Sequence, residues 1–346
     1  MLPRLDIIDP ITHPQWDALV QNGQTCSFFH SSYWARVLQE TYGYRPLYFT
    51  VIKDGMLSLL VPMMEVNSVF TGKRGVSLPF SDYCEINIEQ QIDFSDVMAA
   101  IVDYGKRARW KTVEFMDGRY FDSDIAPYSE FYGHVLNIDK DPEILFHAFS
   151  NNTKRNIRKA LQREILVTKD DSLDAVKEFY RLHCLTRRRH GIPPQPYKFF
   201  ENVHERVIRG RYGFIMQASY HGRTIASSMF FNCGDQAIYK YGASDQSYTY
   251  LPANSLVMWQ AIKWLSGNGF KQLSFGRTEL ENEGLRRFKK GWGAAERKIK
   301  YCKYDLHTGK FISKNSHISD LQRKISSKLP LFVLRTAGAL IYKHIG

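Results

Sequence analysis

Apolar positions run together in short stretches and then switch to helical spacing, and they do so twice along the chain. In the second half, Phe214–Tyr220 and Thr224–Phe231 are apolar, strand-like runs joined by the short glycine-containing turn His221-Gly222-Arg223. Gly234-Asp235 marks the next turn and Ala237–Ala243 a third strand. After Pro252 the period changes. Leu256, Trp259, Ile262 and Leu265 recur at helical spacing, with Asn254 as N-cap, until Gly267-Asn268-Gly269 stops the helix. Phe270–Phe275 is strand-like again, so Ala237–Phe275 predicts a strand–helix–strand unit with a right-handed crossover between parallel strands. A further helix is predicted near Glu281–Arg287.

The first half has the same plan. His13–Val20 and Ser32–Glu40 read as helices, and Leu47–Ile52 and Met56–Met64 as strands around the turn Lys53-Asp54-Gly55. Short strands are expected at Val76–Pro79 and Tyr83–Ile86, a helix at Phe94–Ala108, and a strand at Lys111–Met116 ending at Asp117-Gly118. A glycine-turned hairpin followed by strand–helix–strand in both halves predicts an α/β protein made of two similar domains in tandem.

Between the halves lie a strand at Leu136–Ile138, a short helix at Asp141–Phe149 and then a strongly basic helix over residues 150–163, capped by Ser150 or Asn151. Ile157, Ala160, Leu161 and Ile165 share one face, while Lys154, Arg155, Arg158, Lys159 and Arg163 crowd the other. Such a face suits phosphates of RNA or of a nucleotide-linked substrate; a solvated surface helix is the alternative. Leu173–Arg188 reads as a helix ended by Gly191 before Pro193-Pro194, and Tyr197–Ile208 as the next. Arg189 is a candidate planar clamp for a carboxylate or phosphate, and His190 reads as a capping residue.

Composition narrows the partners. The 346 residues carry 47 Lys and Arg against 35 Asp and Glu, a net charge of +12 that favours nucleic acid, phosphorylated ligands or an acidic membrane surface. Cys26, Cys84, Cys184, Cys233 and Cys302 form no CxxC, so they read as reduced core residues of a cytoplasmic protein, with no paired spacing for a metal. Met1–Pro10 carries Arg4, Asp6 and Asp9 without an apolar run, so no signal peptide is expected. Leu329–Ile345 is the most apolar segment of the tail, too short to span a bilayer; it reads as an interfacial helix or as a terminal helix packed on its domain. Two places invite chemistry. Ser244–Asn254, where a strand ends and a helix begins, suits an anionic group. Lys289, set among aromatics in Phe288-Lys289-Lys290-Gly291-Trp292-Gly293, is either an ammonium aimed at developing negative charge or a wet helix end.

These residues carry a resemblance to the FemAB/FemX aminoacyl transferases. Thr153–Arg163 is similar to that family's basic Lys-x-x-Ile-Arg/Lys-x-Ala helix, and Arg189-His190-Gly191-Ile192 to its RHGI-type segment. Tyr239-Lys240-Tyr241-Gly242-Ala243-Ser244 resembles its Tyr-x-Tyr-Ala/Gly-Ser strand end. Phe275-Gly276-Arg277 with Gly284-Leu285-Arg286-Arg287-Phe288-Lys289 resembles its closing Asp-Phe-Gly…FK pattern, and Trp34-Ala35-Arg36 its Trp-Ala-Lys. The match runs from about Phe28 to Tyr304 in order; Ser274 departs from it, standing where the family has Asp, and the long inserted helical arm is missing.

The resemblance implies a tandem duplication of two GNAT-like acyltransferase domains, here 1–145 and 146–315, followed by a basic amphipathic tail, 316–346. It implies transfer of an acyl group, typically an amino acid from aminoacyl-tRNA, to an amine of a nucleotide- or lipid-linked cell-wall precursor. The donor, aminoacyl-tRNA or acyl-CoA, is a co-substrate and no further cofactor or metal is implied. The expected setting is cytoplasmic, with peripheral membrane association through the tail. Carried over by position, Lys289 lies near the tetrahedral oxyanion and Asp117 is the candidate base. Arg36, Arg189 and Tyr241 line the acceptor site, and Arg155, Arg158, Asn254, Arg277 and Phe288 complete the substrate-binding set. Two alternatives stay open. One is an acyl-CoA-dependent N-acyltransferase acting on a sugar or polysaccharide amine, against which Tyr248–Asn254 lacks the glycines of a CoA pyrophosphate loop. The other is a non-enzymatic RNA- or membrane-surface-binding protein on the same scaffold.

Overall fold

The computed structural model describes residues 5–23, 27–89, 91–313 and 329–345. Residues 1–4, Cys26 and, from the expected tail, 316–328 and 346 lie outside the described residues. The chain divides into two compact units. The first holds the described residues up to Phe131, those at 298–313 and those from Tyr342; the second holds Tyr132–Arg297 and 329–341.

In the first unit, Arg45–Lys53 and Met56–Ser68 form an antiparallel hairpin turning on Asp54-Gly55, both at positive φ. Asp6–Ile8 adds to one side of this hairpin and Gly72–Val76 to the other, both antiparallel. Gly72–Val76 then pairs parallel with Thr112–Phe115, and the helix Phe94–Arg107 lies between them in the chain, its N-terminus capped by Asp93. Leu59, Val61, Val97, Ile101 and Trp110 are among the side chains buried where helix and sheet pack.

The second unit repeats this order. Gly213–Tyr220 and Arg223–Cys233 make the hairpin, and Gln236–Ser244 joins it antiparallel. Gln236–Ser244 then pairs parallel with Gln272–Glu279, with the helix Ala253–Gly267 between. Leu256, Val257, Ala261, Ile262 and Leu265 of that helix are buried against the sheet. The shared topology, antiparallel hairpin then parallel strand–helix–strand, is the duplication expected from the pattern.

Several elements differ from the sequence reading. Asn254 is not the cap: the helix starts at Ala253, with Pro252 at the N-cap position and no side-chain cap. Val76–Pro79 is not a separate strand, because Leu78 and Phe80 take positive φ and bend the chain away from Gly72–Val76. The pairing expected at Tyr83–Ile86 falls instead at Asn87–Ile88. Tyr197–Ile208 is helical to Val203 and closes in a wider turn, His204–Ile208. Three strands were not foreseen at their full extent: Ser129–Asn137, Ile165–Lys169 and Ala295–Asp305. Cys84, Cys184 and Cys302 are free and buried, but Cys233 is disulfide-bonded, which corrects its reading as a reduced thiol. Spacing along a chain does not reveal which sulfurs a fold brings together. Among the described residues no helix is long and apolar enough to cross a membrane.

Candidate active site

The parallel pairing of Gln236–Ser244 with Gln272–Glu279 runs only from Gln236↔Gln272 to Ile238↔Ser274. Beyond it, Gly276 takes φ +65, a left-handed turn that suits glycine, and its amide is held by the Ser274 hydroxyl at 3.2 Å. The Gly276 and Arg277 carbonyls thereby accept from the Lys289 Nζ at 3.2 and 2.9 Å. Lys289 sits in the helix Glu283–Lys290, whose N-cap Asn282 accepts from the Leu285 amide. Its side chain is 2% exposed. The wet helix end is thereby excluded for Lys289: this is a buried ammonium.

The opposite sign is supplied nearby. Tyr132 and His134 point to one face of the strand Ser129–Asn137, as residues two apart must. The His134 Nε2 lies 3.0 Å from a Glu296 carboxylate oxygen. Arg286, one helical turn before Lys289, grips both oxygens of Glu296 at 2.7 and 2.8 Å and stacks its guanidinium 4.1 Å over the Tyr132 ring. This fork holds the Glu296 carboxyl down at about 2. Burial pushes His134 below the ordinary histidine range, the Lys289 charge pushes it further, and Glu296 opposes both. A neutral imidazole that donates from Nε2 to Glu296 keeps its lone pair on Nδ1. That atom is buried and has no hydrogen-bond partner. Two more buried polar atoms lack hydrogen bonds, Thr278 Oγ1 beside Arg277 and Trp292 Nε1 three residues after Lys289. A buried, unpaired polar atom costs free energy, so all three suit a polar ligand.

The remaining expected residues fall as follows. Phe288 packs edge-to-face on Trp292 at 5.9 Å, and Arg277 contributes its carbonyl to Lys289. Arg155 and Arg158 are exposed on the basic helix Asn151–Leu161, Arg155 bonded to Asn152 and Arg158 stacked 5.5 Å over Phe146. Ser150 caps that helix and donates its amide to the Gly291 carbonyl at 2.9 Å, fixing the helix N-terminus two residues from Lys289. Tyr241 is half-buried amid the rings of Phe179, His183, Phe199 and Phe200. Arg189 is exposed in the last turn of Leu173–Arg189, and Asn254 is exposed in the first turn of its helix. Arg36 and Asp117 belong to the first unit. Arg36 donates to the Ile11 carbonyl at 3.2 Å. Asp117 is buried, its carboxylate taken up by Arg119 and by the Ile86 amide at 2.9 Å.

His134, Glu296 and Arg286 were not singled out from the sequence. The spacing of Arg286 and Lys289 on one helix face was a usable signal, since residues three apart are neighbours there. Among the described residues no group of three or more His, Cys, Asp or Glu is placed to hold a metal ion.

Comparison with known proteins agrees with this construction. Residues 147–290 match the model of the acetyltransferase (GNAT) domain. Among curated proteins none matches the chain. Among solved structures, FemX superposes with a TM-score of 0.69 at 14% identity, over 88% of this chain and 98% of that one. A tandem GNAT protein from the clavulanic acid biosynthesis pathway gives 0.53 at 8% identity, over 88% and 99%. The C-terminal domain of a putative lysylphosphatidylglycerol synthetase from Agrobacterium fabrum gives 0.54 at 9% identity, over 82% and 89%. At such identities the likeness is one of fold. The chain has the FemX-like double GNAT fold, and its residues 147–290 are the acyltransferase-type domain that carries the buried lysine.

Proposed function

We propose that this protein is an aminoacyltransferase that moves an amino acid from aminoacyl-tRNA to an amine of a nucleotide- or lipid-linked cell-envelope precursor. The observation that carries the reading is the Lys289 ammonium, buried and oriented by two carbonyls, beside a neutral histidine. An acyl ester is already activated, so the protein needs chiefly to position an amine and stabilise charge on the carbonyl oxygen. The amine nitrogen attacks the ester carbon, the N–C bond forms, and the oxygen takes up negative charge facing Lys289. Collapse breaks the ester C–O bond. The proton lost by the amine passes through a base to the departing ribose oxygen.

Of the two candidate bases, Asp117 is occupied by Arg119 and the Ile86 amide, whereas the His134 Nδ1 has no hydrogen-bond partner. We therefore assign the base to His134, oriented by Glu296. Arg155, Arg158 and Arg189, exposed and cationic, are assigned to phosphates of the donor or acceptor. The lysylphosphatidylglycerol synthetase neighbour and the FemX neighbour support an envelope acceptor.

The test is turnover with charged tRNA and a muropeptide precursor. Lys289→Met, which keeps the chain's bulk without the charge, should lower turnover by about 10² or more with the fold retained. Unchanged turnover would remove Lys289 from the chemistry. The second reading, acyl-CoA as donor, is favoured by the match of residues 147–290 to an acetyltransferase domain. It is opposed by Tyr248–Asn254, which offers no glycine where a pyrophosphate would approach the backbone. Transfer from acetyl-CoA, with none from charged tRNA, would select it.

A further inference from the structure

The turn between Met56–Ser68 and Gly72–Val76 carries two apolar side chains in water, Val69 at 85% and Phe70 at 77% exposure. The turn is ordered rather than loose. The Ser68 hydroxyl accepts from the amides of Phe70 and Thr71 at 3.2 and 3.1 Å, and Gly72 takes φ +77. The last described residues of the chain are fastened to the same corner. Arg74 donates to the His344 carbonyl at 3.0 Å, and the Phe70 and His344 rings meet edge-to-face at 4.8 Å. Ile345, 57% exposed, extends the apolar surface.

Cations rim this tip. Lys111 runs so close beside Gly72 that an added Cβ there would meet its Cε at 2.6 Å. Lys106, Arg109 and Lys343 are exposed. The nearby acidic groups are already paired, Glu65 with Lys73 at 3.2 Å and Glu114 with Lys303 at 2.9 Å. An ordered apolar tip with exposed cations beside it is complementary to an anionic bilayer surface, where apolar groups enter the headgroup boundary and cations meet phosphates.

We propose that this corner of the first unit docks on an anionic membrane, with Val69 and Phe70 inserted and Lys111 and Lys343 facing lipid phosphates. The proposal stands apart from the acyltransferase reading, since its test needs no turnover. The full-length protein is sedimented with vesicles of phosphatidylcholine, or of phosphatidylcholine with phosphatidylglycerol, at low and high salt.

Wild type should partition onto the phosphatidylglycerol vesicles, less so at high salt, and little onto phosphatidylcholine alone. The double substitution Val69→Ser, Phe70→Ser should lower the partition coefficient about tenfold or more with an unchanged melting temperature. Lys111→Ala with Lys343→Ala should lower it on the anionic vesicles. Failure of wild type to bind phosphatidylglycerol vesicles, or equal binding by the Val69/Phe70 variant, would overturn the proposal. So would a Phe70-dependent dimer in sedimentation equilibrium without lipid, which would assign the tip to a second copy of the chain.

Discussion

Burying a charge is costly unless the fold satisfies it, and the Lys289 ammonium donates to two backbone carbonyls, those of Gly276 and Arg277. Carbonyls carry no formal charge, so these two bonds hold the ammonium in place without cancelling its charge, the property an oxyanion-stabilising group needs. The Glu296 carboxylate is engaged by Arg286 and His134. The aromatic neighbours of Lys289 and the resemblance made it a candidate, but the same residues also fitted a wet helix end, and only the fold shows the side chain buried. His134 was not legible, because its partner Glu296 is 162 residues away and no local pattern links them. Its shift gives a pH prediction with a definite sign. Burial and Lys289 lower the His134 pKa below 6.5, so its neutral, base-competent form persists below that pH. Turnover should therefore be held through neutrality and fall on an acid limb below pH 6.5. Glu296 raises the His134 pKa, so Glu296→Gln should move that limb to still lower pH. A pH–rate profile whose acid limb does not respond to Glu296→Gln would show that His134 is not the titrating base.

Elements were read well where one periodicity dominated and poorly where charge masked it. The helix Ala253–Gly267 and both hairpins follow from clear patterns. Ala295–Asp305 alternates only over Glu296–Tyr301, where Glu296, Lys298 and Lys300 fill one set of positions and Ile299 and Tyr301 are buried in the other, before the adjacent buried Cys302 breaks the pattern. Ile165–Lys169 is an edge strand, half exposed, and leaves too faint an apolar signal. Packing between elements was not legible at all. Gly291 has an ordinary φ of −60, yet an added Cβ would meet the Thr153 hydroxyl at 2.6 Å and the Ser150 hydroxyl at 3.2 Å. Here glycine is needed for the close approach of the basic helix. Gly291→Ala should cost ~1–3 kcal/mol of unfolding free energy by overpacking. Adding Thr153→Ala should recover part of that loss. Denaturant unfolding of the single and double variants checks both, and a neutral Gly291→Ala would mean that the helix shifts freely.

At the scale of the molecule, the duplication was readable because each half repeats the same order of hairpin, strand, helix and strand, although few residues correspond. The GNAT match over residues 147–290 and the likeness to FemX agree with that order. What the order could not supply was the donor, which depends on where the +12 net charge is concentrated. Within the second unit, Arg155, Arg158 and Lys159 are exposed along one helix. If that helix lies on the backbone of a charged tRNA, its cations release counterions on binding, and log affinity falls linearly with log salt. Each phosphate contact on duplex RNA then contributes a slope of about −0.9, taking the value for duplex nucleic acid. Replacing Arg155, Arg158 and Lys159 with Ala should flatten the log–log plot by about 2 to 3, measured by filter binding of aminoacyl-tRNA across a salt series. The Lys289→Met protein should keep the wild-type slope, because the Lys289 side chain it replaces is buried and out of reach of a surface phosphate. A slope indifferent to the three surface cations would take the basic helix out of RNA recognition and shift the weight toward the acyl-CoA donor.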